Sequence, residues 1–188
     1  MKKLVVLKGV RAVTVAAAGW VALVVPVAAS AAEKLEKLEK FMATSQVVEA
    51  IDFNVDSNCL PASPGTESTA MGRISGSGLG TGGIGAFTIS SVDCVRAANP
   101  YFQSPYAFSS KVLKLTASNG DEITVSYRGT TALDPATFVL ALNGTFEFTG
   151  GTGRYKNVRG GGLLVGAEDI SAFPSARGFV TFIGGISR

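Results

Sequence analysis

Residues 149–162 read TGGTGRYKNVRGGG, with six glycines around a basic and aromatic centre. A nucleotide-binding P-loop needs Gly-Lys-Ser/Thr, and Gly153-Arg154-Tyr155 supplies neither the lysine nor the hydroxyl. Backbone geometry explains the glycines better, because glycine takes positive φ without steric cost. We interpret the stretch as the junction of two late β-strands. Its predicted structural turn residues are Gly150, Gly151, Gly153, Tyr155 and Gly160.

The chain around this junction has the pattern of an all-β protein. Eight stretches alternate apolar and polar residues between glycine, proline and asparagine turns. Asn119-Gly120 joins two such stretches and predicts a tight hairpin. Asn143-Gly144 is a kink inside one long strand, which gives eight strands, or a second hairpin, which gives nine. Glycines within strands favour a closed barrel over a sandwich, because closure requires sharp coiling. We predict an eight-stranded antiparallel β-barrel over residues 46–188.

The first 31 residues resemble a secretory signal peptide. Their basic start ends at Arg11, an apolar run follows, and Ala29-Ser30-Ala31 offers a small-x-small cleavage site. The alternative is an uncleaved membrane anchor, because no charge lies between Arg11 and Glu33. We predict cleavage, a secreted or periplasmic protein, and no stable membrane span afterwards.

Residues 32–45 are predicted to form a short helical linker. Leu35, Leu38 and Met42 recur at helical spacing, and Glu33–Lys37 and Glu36–Lys40 are favourably ordered charge pairs. A surface helix is the favoured interpretation, and a membrane-surface or partner helix is the alternative.

The net charge gives no argument for a nucleic-acid partner. The sequence has 17 basic and 14 acidic residues, but four of the basic residues precede residue 32 and no acid does. Without that segment 13 basic residues face 14 acidic ones, whereas nucleic-acid-binding domains carry a basic excess.

Cys59 and Cys94 are predicted to form a disulfide, as two cysteines in an exported chain usually do. The alternative is two separate buried thiols. The chain has no histidine, which removes the commonest metal ligand and the commonest general base, and we predict no metal site.

The string GLGTGG at residues 78–83 matches a dinucleotide-binding pattern in letters alone. That chemistry requires a strand before the glycines and a helix after them. The following residues, IGAFTISS, alternate like a strand, so we interpret the glycines as a turn.

Three charged residues in predicted strands are Asp93, Arg128 and Glu147. An inward charge is costly unless it is paired, so we expect these side chains to face solvent. The alternative is a buried pair that polarises a ligand. For that alternative the catalytic candidates are Tyr127, Arg128 and Glu147, because tyrosine, arginine and carboxyl groups remain as acid–base groups in a chain without histidine.

The junction at residues 150–160 resembles the Gly-Gly-Thr-Gly-basic-aromatic…Ala-Arg-Gly signature of plant dirigent proteins, which are related in fold to allene oxide cyclases. The match is carried by Gly150, Gly151, Thr152, Gly153, Tyr155, Arg159 and Gly160, and Val158 replaces the usual alanine. The arrangement over residues 70–188 is similar to secreted bacterial proteins of the same group. The resemblance implies a calycin-type barrel with a central apolar cavity and no cofactor. Dirigent proteins steer the coupling of phenoxy radicals, and allene oxide cyclases close a ring in an epoxide lipid.

Three functions remain open from the sequence. The favoured one is binding of a small apolar or aromatic molecule in the lumen, since small barrels can enclose one ligand. The second is a cofactor-independent cyclase, isomerase or dirigent-like catalyst, and the third is a structural cell-envelope protein, either as a monomer or as a homo-oligomer. The predicted ligand-binding residues are Phe138, Leu140, Leu142, Phe146 and Phe148.

Overall fold

The computed structural model describes residues 38–59, 68–97 and 103–188, which form a closed antiparallel barrel of eight strands. The strands are β1 Glu39–Asp52, β2 Ala70–Gly80, β3 Gly85–Ala97, β4 Tyr106–Ala117, β5 Glu122–Asp134, β6 Val139–Gly151, β7 Arg159–Asp169 and β8 Ser175–Ser187. Each strand pairs with its neighbours along the chain, and β1 pairs with β8 to close the sheet. The predicted eight-stranded barrel is confirmed.

Alternation of side chains along each strand forms the interior. In β6 the side chains of Leu140, Leu142, Phe146 and Phe148 are buried in the lumen. Because successive side chains of a strand point to opposite faces, the residues between them lie on the outer surface. Asn143-Gly144 lies within this continuous strand and is not a hairpin, so the count of eight is correct.

The predicted helix at residues 32–45 is wrong over its described part. Residues 39–45 belong to β1, in which Phe41, Ala43 and Ser45 face the lumen. The charge pairs suit a helix, but this segment hydrogen-bonds to both β2 and β8, and its pairing closes the barrel. Small inward residues hid the strand alternation in the sequence. Residues 32–37 and the predicted signal peptide lie outside the described residues.

One half of the lumen is filled with aromatic side chains. The rings of Phe41 and Phe148 meet edge to face with centroids 5.1 Å apart, and Phe146 meets Phe148 and Phe182 at 5.3 Å. These rings lie toward the end of the barrel that carries the β2–β3, β4–β5 and β6–β7 turns. We call this half the packed half.

The glycine-rich junction closes the packed half. Thr152 precedes a short 3-10 turn, Gly153–Tyr155, and the Tyr155 ring is fully buried in the core. Gly153 has φ +51°, and a side chain at this position would overlap the carboxyl group of Asp121. The interpretation of residues 149–162 as a strand junction is therefore confirmed.

The other predicted turns are also confirmed. Asn119-Gly120 joins β4 to β5 as a hairpin, with Gly120 at φ +86°. The glycines of residues 78–83 end β2 and form the turn into β3, and no helix follows them.

Cys59 and Cys94 form a disulfide between a short 3-10 turn, Ser57–Cys59, and β3, with Cα atoms 5.2 Å apart. This confirms the predicted disulfide. Within the described ranges, no helix is long and apolar enough to cross a membrane.

Candidate functional site

The half of the lumen opposite the packed half contains a cavity of about 70 Å³. It lies where β1, β3, β5 and β7 end and β2, β4, β6 and β8 begin. Its apolar walls are formed by Ile51, Val95, Tyr106, Phe108, Leu140 and Leu142. Ile170 and Phe173 line the rim, and Phe173 contacts the exposed ring of Phe53 with centroids 5.9 Å apart. The cavity thus has an apolar wall and an aromatic rim.

Three carboxyl groups converge on this apolar cavity. Glu49 of β1, Asp93 of β3 and Glu168 of β7 line it, and all three side chains are buried. The side chains of Glu49 and Glu168 are hydrogen-bonded to each other, which requires a proton on one of the two carboxyl groups.

Burial raises the pKa of all three acids. Burial is the largest cause for Glu49, whose pKa lies well above its ordinary value, and the negative charges of Glu168 and Asp93 raise it further. The pKa of Asp93 is also raised well above its ordinary value by burial and by Glu168, against a hydrogen bond from Ser91 that lowers it. Burial raises the pKa of Glu168, and the hydrogen bond with Glu49 opposes this rise. The cluster therefore holds protons that exposed carboxylates would have lost.

Two glycines make room for the glutamates. A side chain at Gly72, which lies opposite Asp93 in the β2–β3 ladder, would overlap the carboxyl group of Glu49. A Cβ atom at Gly178 would lie 2.0 Å from the backbone oxygen of Ala167 and 2.8 Å from Cγ of Glu168. The backbone of β2 and β8 is thus shaped for these two side chains.

Behind Asp93 a chain of hydroxyl groups leads toward the packed half. The Tyr127 hydroxyl donates a hydrogen bond to Oδ1 of Asp93. The Ser91 hydroxyl oxygen lies 2.8 Å from the Tyr127 hydroxyl and 2.9 Å from that of Ser110. All of these groups are buried, so the network fixes the orientation of Asp93.

Two oxygen atoms at the cavity have no hydrogen-bond partner among the described residues. They are Oε1 of Glu168 and Oγ1 of Thr131, whose residues are 3% and 6% exposed. A buried polar atom without a partner costs about 1–3 kcal/mol, so such atoms are rare in native structures. Both residues line the cavity, and a polar group in the cavity would satisfy them.

The three predicted catalytic residues lie on neighbouring strands around a groove of about 350 Å³, but their side chains face different sides of the sheet. Tyr127 faces the lumen and contacts Asp93, whereas Arg128 and Glu147 lie exposed on the outer face of the barrel. Arg128 directly follows Tyr127 in β5 and must point the other way, and Glu147 has the same relation to Phe146 in β6. Only Tyr127 of the three therefore belongs to the lumen.

The predicted ligand-binding residues fall into three places. Leu140 and Leu142 line the cavity. Phe146 and Phe148 belong to the packed half. Phe138 lies outside the lumen, half exposed in the β5–β6 turn with φ +57°.

The expectation that Asp93 faces solvent is wrong, because Asp93 lies on the same inward face of β3 as Ile89 and Val95. The expectation holds for Arg128 and Glu147. Sequence reasoning missed Glu49 and Glu168. The alternation of side chains within a strand was the available signal, because Glu49 lies on the same face of β1 as Val47 and Ile51.

A search of the described residues finds no group of three or more acidic, histidine or cysteine residues placed to hold a metal ion. Comparison of the chain with protein-family models, curated proteins and solved structures gives no match. The resemblance to dirigent proteins and allene oxide cyclases stays a prediction, and the candidate site stands on its own geometry.

Proposed function

We propose that the protein is an exported barrel that binds a small apolar or aromatic molecule, with one end of the ligand in the cavity. The observation that carries this proposal is the apolar-walled cavity with unpaired oxygens on Glu168 and Thr131. A purely structural barrel has no need for a buried polar cluster beside an empty space, whereas ligand pockets combine apolar walls with a few polar groups. The disulfide supports an oxidising compartment.

The size of the cavity limits what enters it. A volume of about 70 Å³ admits roughly five water-sized groups, because each occupies about 10–15 Å³ by this measure. The polar end of a ligand fits inside, and its larger apolar part would rest on the rim near Ile170 and Phe173. We therefore expect an elongated ligand that is only partly enclosed.

Native mass spectrometry of the protein purified from its exported fraction tests this proposal. We expect an adduct of one small molecule per chain. Leu142→Trp should remove the adduct, because the larger side chain fills the cavity. The matched control is Ala141→Trp, which adds the same side chain to the outer face of the same strand. The proposal is rejected if the adduct persists in Leu142→Trp, or if the native protein carries none and neutral and amine probes added at millimolar concentration also fail to bind.

A second candidate function is proton-transfer catalysis without a cofactor, such as an isomerisation or ring closure. The hydrogen-bonded pair of Glu49 and Glu168 favours it, because one group is an acid and the other a base. An enclosed apolar site also strengthens such proton transfer by excluding water. The predicted kinship with cyclases is consistent with this candidate.

Hydrogen exchange into the bound molecule tests the catalytic candidate. The ligand found by mass spectrometry is incubated with the protein in D₂O, and deuterium on its carbon atoms is measured. Catalysis predicts exchange that Glu168→Gln abolishes and that Glu147→Gln, on the outer face, leaves intact. A ligand that binds but gains no carbon-bound deuterium would leave binding as the function.

A further inference from the structure

The cavity is lined by three acidic side chains and by no basic one among the described residues. Glu49, Asp93 and Glu168 line it, and no lysine or arginine is among its described lining residues. The ion pairs found in the described part of the chain are all on the surface and leave these three acids out. A buried acid without a cation beside it keeps its proton, and a cation that entered the cavity could take the place of that proton.

The unpaired oxygens show where a partner would bind. Oε1 of Glu168 has no hydrogen-bond donor among the described residues, and the same carboxyl group interacts with Glu49. Thr131 of β5 and Glu168 of β7 flank β6, where Leu142 pairs with Thr131 and Leu140 pairs with Glu168. The two oxygens thus border the cavity on both sides of the Leu140–Leu142 wall.

The walls of the cavity can contact both apolar groups and cationic groups of a ligand. Tyr106 and Phe108 line the cavity with aromatic rings, and aromatic faces attract ammonium groups. The titratable groups that face the cavity are Glu49, Asp93, Glu168 and Tyr106, with Tyr127 behind Asp93. None of them carries a positive charge in any protonation state.

We propose that the ligand of this cavity is a small primary amine, whose ammonium group binds Glu168 and Thr131 while its apolar part rests against the aromatic rim. This inference rests on the proposed binding function and names the chemical class of the ligand. An ammonium group has three N–H donors, so it can donate to more than one of the oxygens that line the cavity, whereas an alcohol has a single donor.

The charge balance of binding follows from the protons that the acids hold. The free site keeps protons on its buried carboxyl groups, because charges without partners are costly there. An ammonium ion that enters stabilises a carboxylate, so one acid releases its proton to solvent. The net charge of the cavity then stays nearly constant. Binding tightens as pH rises until that acid is ionised in the free protein, and it weakens once the amine itself loses its proton.

Two probes with the same carbon skeleton separate an amine from a neutral ligand. They are 2-phenylethylamine and 2-phenylethanol, whose two-carbon arm reaches into the cavity while the ring stays at the rim. We expect isothermal titration at pH 7.5 to give at least tenfold tighter binding of the amine. The amine titration is repeated in two buffers of different ionisation enthalpy, and we expect net release of up to one proton.

Variants locate the binding to the proposed atoms. Glu168→Gln keeps the shape but removes the charge, and we expect at least tenfold weaker amine binding with little change for the alcohol. Thr131→Val, a smaller change, should weaken amine binding severalfold. Glu147→Gln on the outer face is the control and should bind like the native protein, and circular dichroism checks that each variant is folded.

The outcomes distinguish the two proposals. Equal affinities, tighter binding of the alcohol, or an amine affinity unchanged in folded Glu168→Gln would overturn the amine inference and leave binding of an apolar molecule in place. Failure of both probes at millimolar concentration would overturn the amine inference as well, and together with a native protein that carries no adduct it would overturn the binding function.

Discussion

The carboxyl group of Glu49 occupies the space that a side chain at Gly72 would need. Gly72 in turn lies opposite Asp93 in the neighbouring strand, so a missing Cβ atom on β2 brings an acid of β1 toward an acid of β3. The buried acid cluster therefore depends on a glycine that has no chemistry of its own.

Substitution of this glycine should act through Glu49. We expect Gly72→Ala to lower the free energy of unfolding by about 2 kcal/mol, in the range of overpacked core positions. In a Glu49→Ala background the same substitution should cost less than half as much, because the overlapping carboxyl group is gone. Urea unfolding of the four proteins of this double-mutant cycle gives the coupling energy. Additive effects of the two substitutions would contradict the spatial relationship.

The raised pKa values of the cluster predict that stability falls as pH rises. Glu49, Asp93 and Glu168 hold protons in the folded state at pH values where the unfolded chain has lost them. Their contribution to the free energy of unfolding is complete below about pH 4, where the acids of the unfolded chain are protonated as well. It is lost as pH rises through the pKa values of the folded state. The slope is at most about 1.4 kcal/mol per pH unit for each extra proton held by the folded state.

Urea unfolding between pH 5 and 8 measures this slope. Asp56, Asp134 and Asp169 have lowered pKa values from local hydrogen bonds, so their opposite contribution is lost only as pH falls through values near 4 and below. We expect Glu168→Gln to flatten the profile and Glu147→Gln to leave it unchanged. A native stability that rises over this range would show that the cluster is ionised in the folded protein.

The glycine-rich junction should tolerate no side chain at Gly153. Its φ of +51° is unfavourable for other residues, and a Cβ atom there would overlap the carboxyl group of Asp121. We expect Gly153→Val to lower the free energy of unfolding by at least about 2 kcal/mol and to reduce the yield of folded protein. Asn157→Val, at an exposed position of the same junction, is the control. Equal yields for the two variants would argue against a structural role for the glycine.

Loss of the disulfide should destabilise the barrel by up to about 4 kcal/mol, because the bridge closes a loop with a sequence separation of 35 residues. Cys59→Ser combined with Cys94→Ser removes it without leaving a free thiol. Thermal unfolding of this variant and of the native protein gives the difference. Thiol labelling of the unfolded, non-reduced native protein should detect no free thiol, and two labelled cysteines would contradict the bridge.

Local patterns in the sequence were sufficient to predict the barrel. Strand alternation, the Asn119-Gly120 hairpin and the glycine-rich junction each depend on residues close together in the chain. Such signals specify strands and turns, because side-chain parity and the tolerance for positive φ are local properties. The same approach failed at residues 39–45, where charges at helical spacing were outweighed by pairing with two distant strands.

The site could not be predicted in the same way. Charge was expected on the outer face because burial of an unpaired acid is costly, and Asp93 breaks this rule only in combination with Glu49 and Glu168. The alternation of side chains within each strand could have identified each acid as a candidate inward residue. Nothing in the sequence, however, shows that β1, β3 and β7 present these acids to one cavity.

Apart from the first half of β1, the sequence by itself determined the strands, their turns and the two cysteines that are bridged, because these follow from local periodicity and from residue type. Only the tertiary structure decided that the lumen is packed on one side and hollow on the other. Closure of the sheet determines which inward residues lie at the same height along the barrel axis. It therefore brings Phe41, Phe146 and Phe182 together in one half and the buried acids together in the other. That division depends on contacts between residues far apart in the chain, and it creates the site.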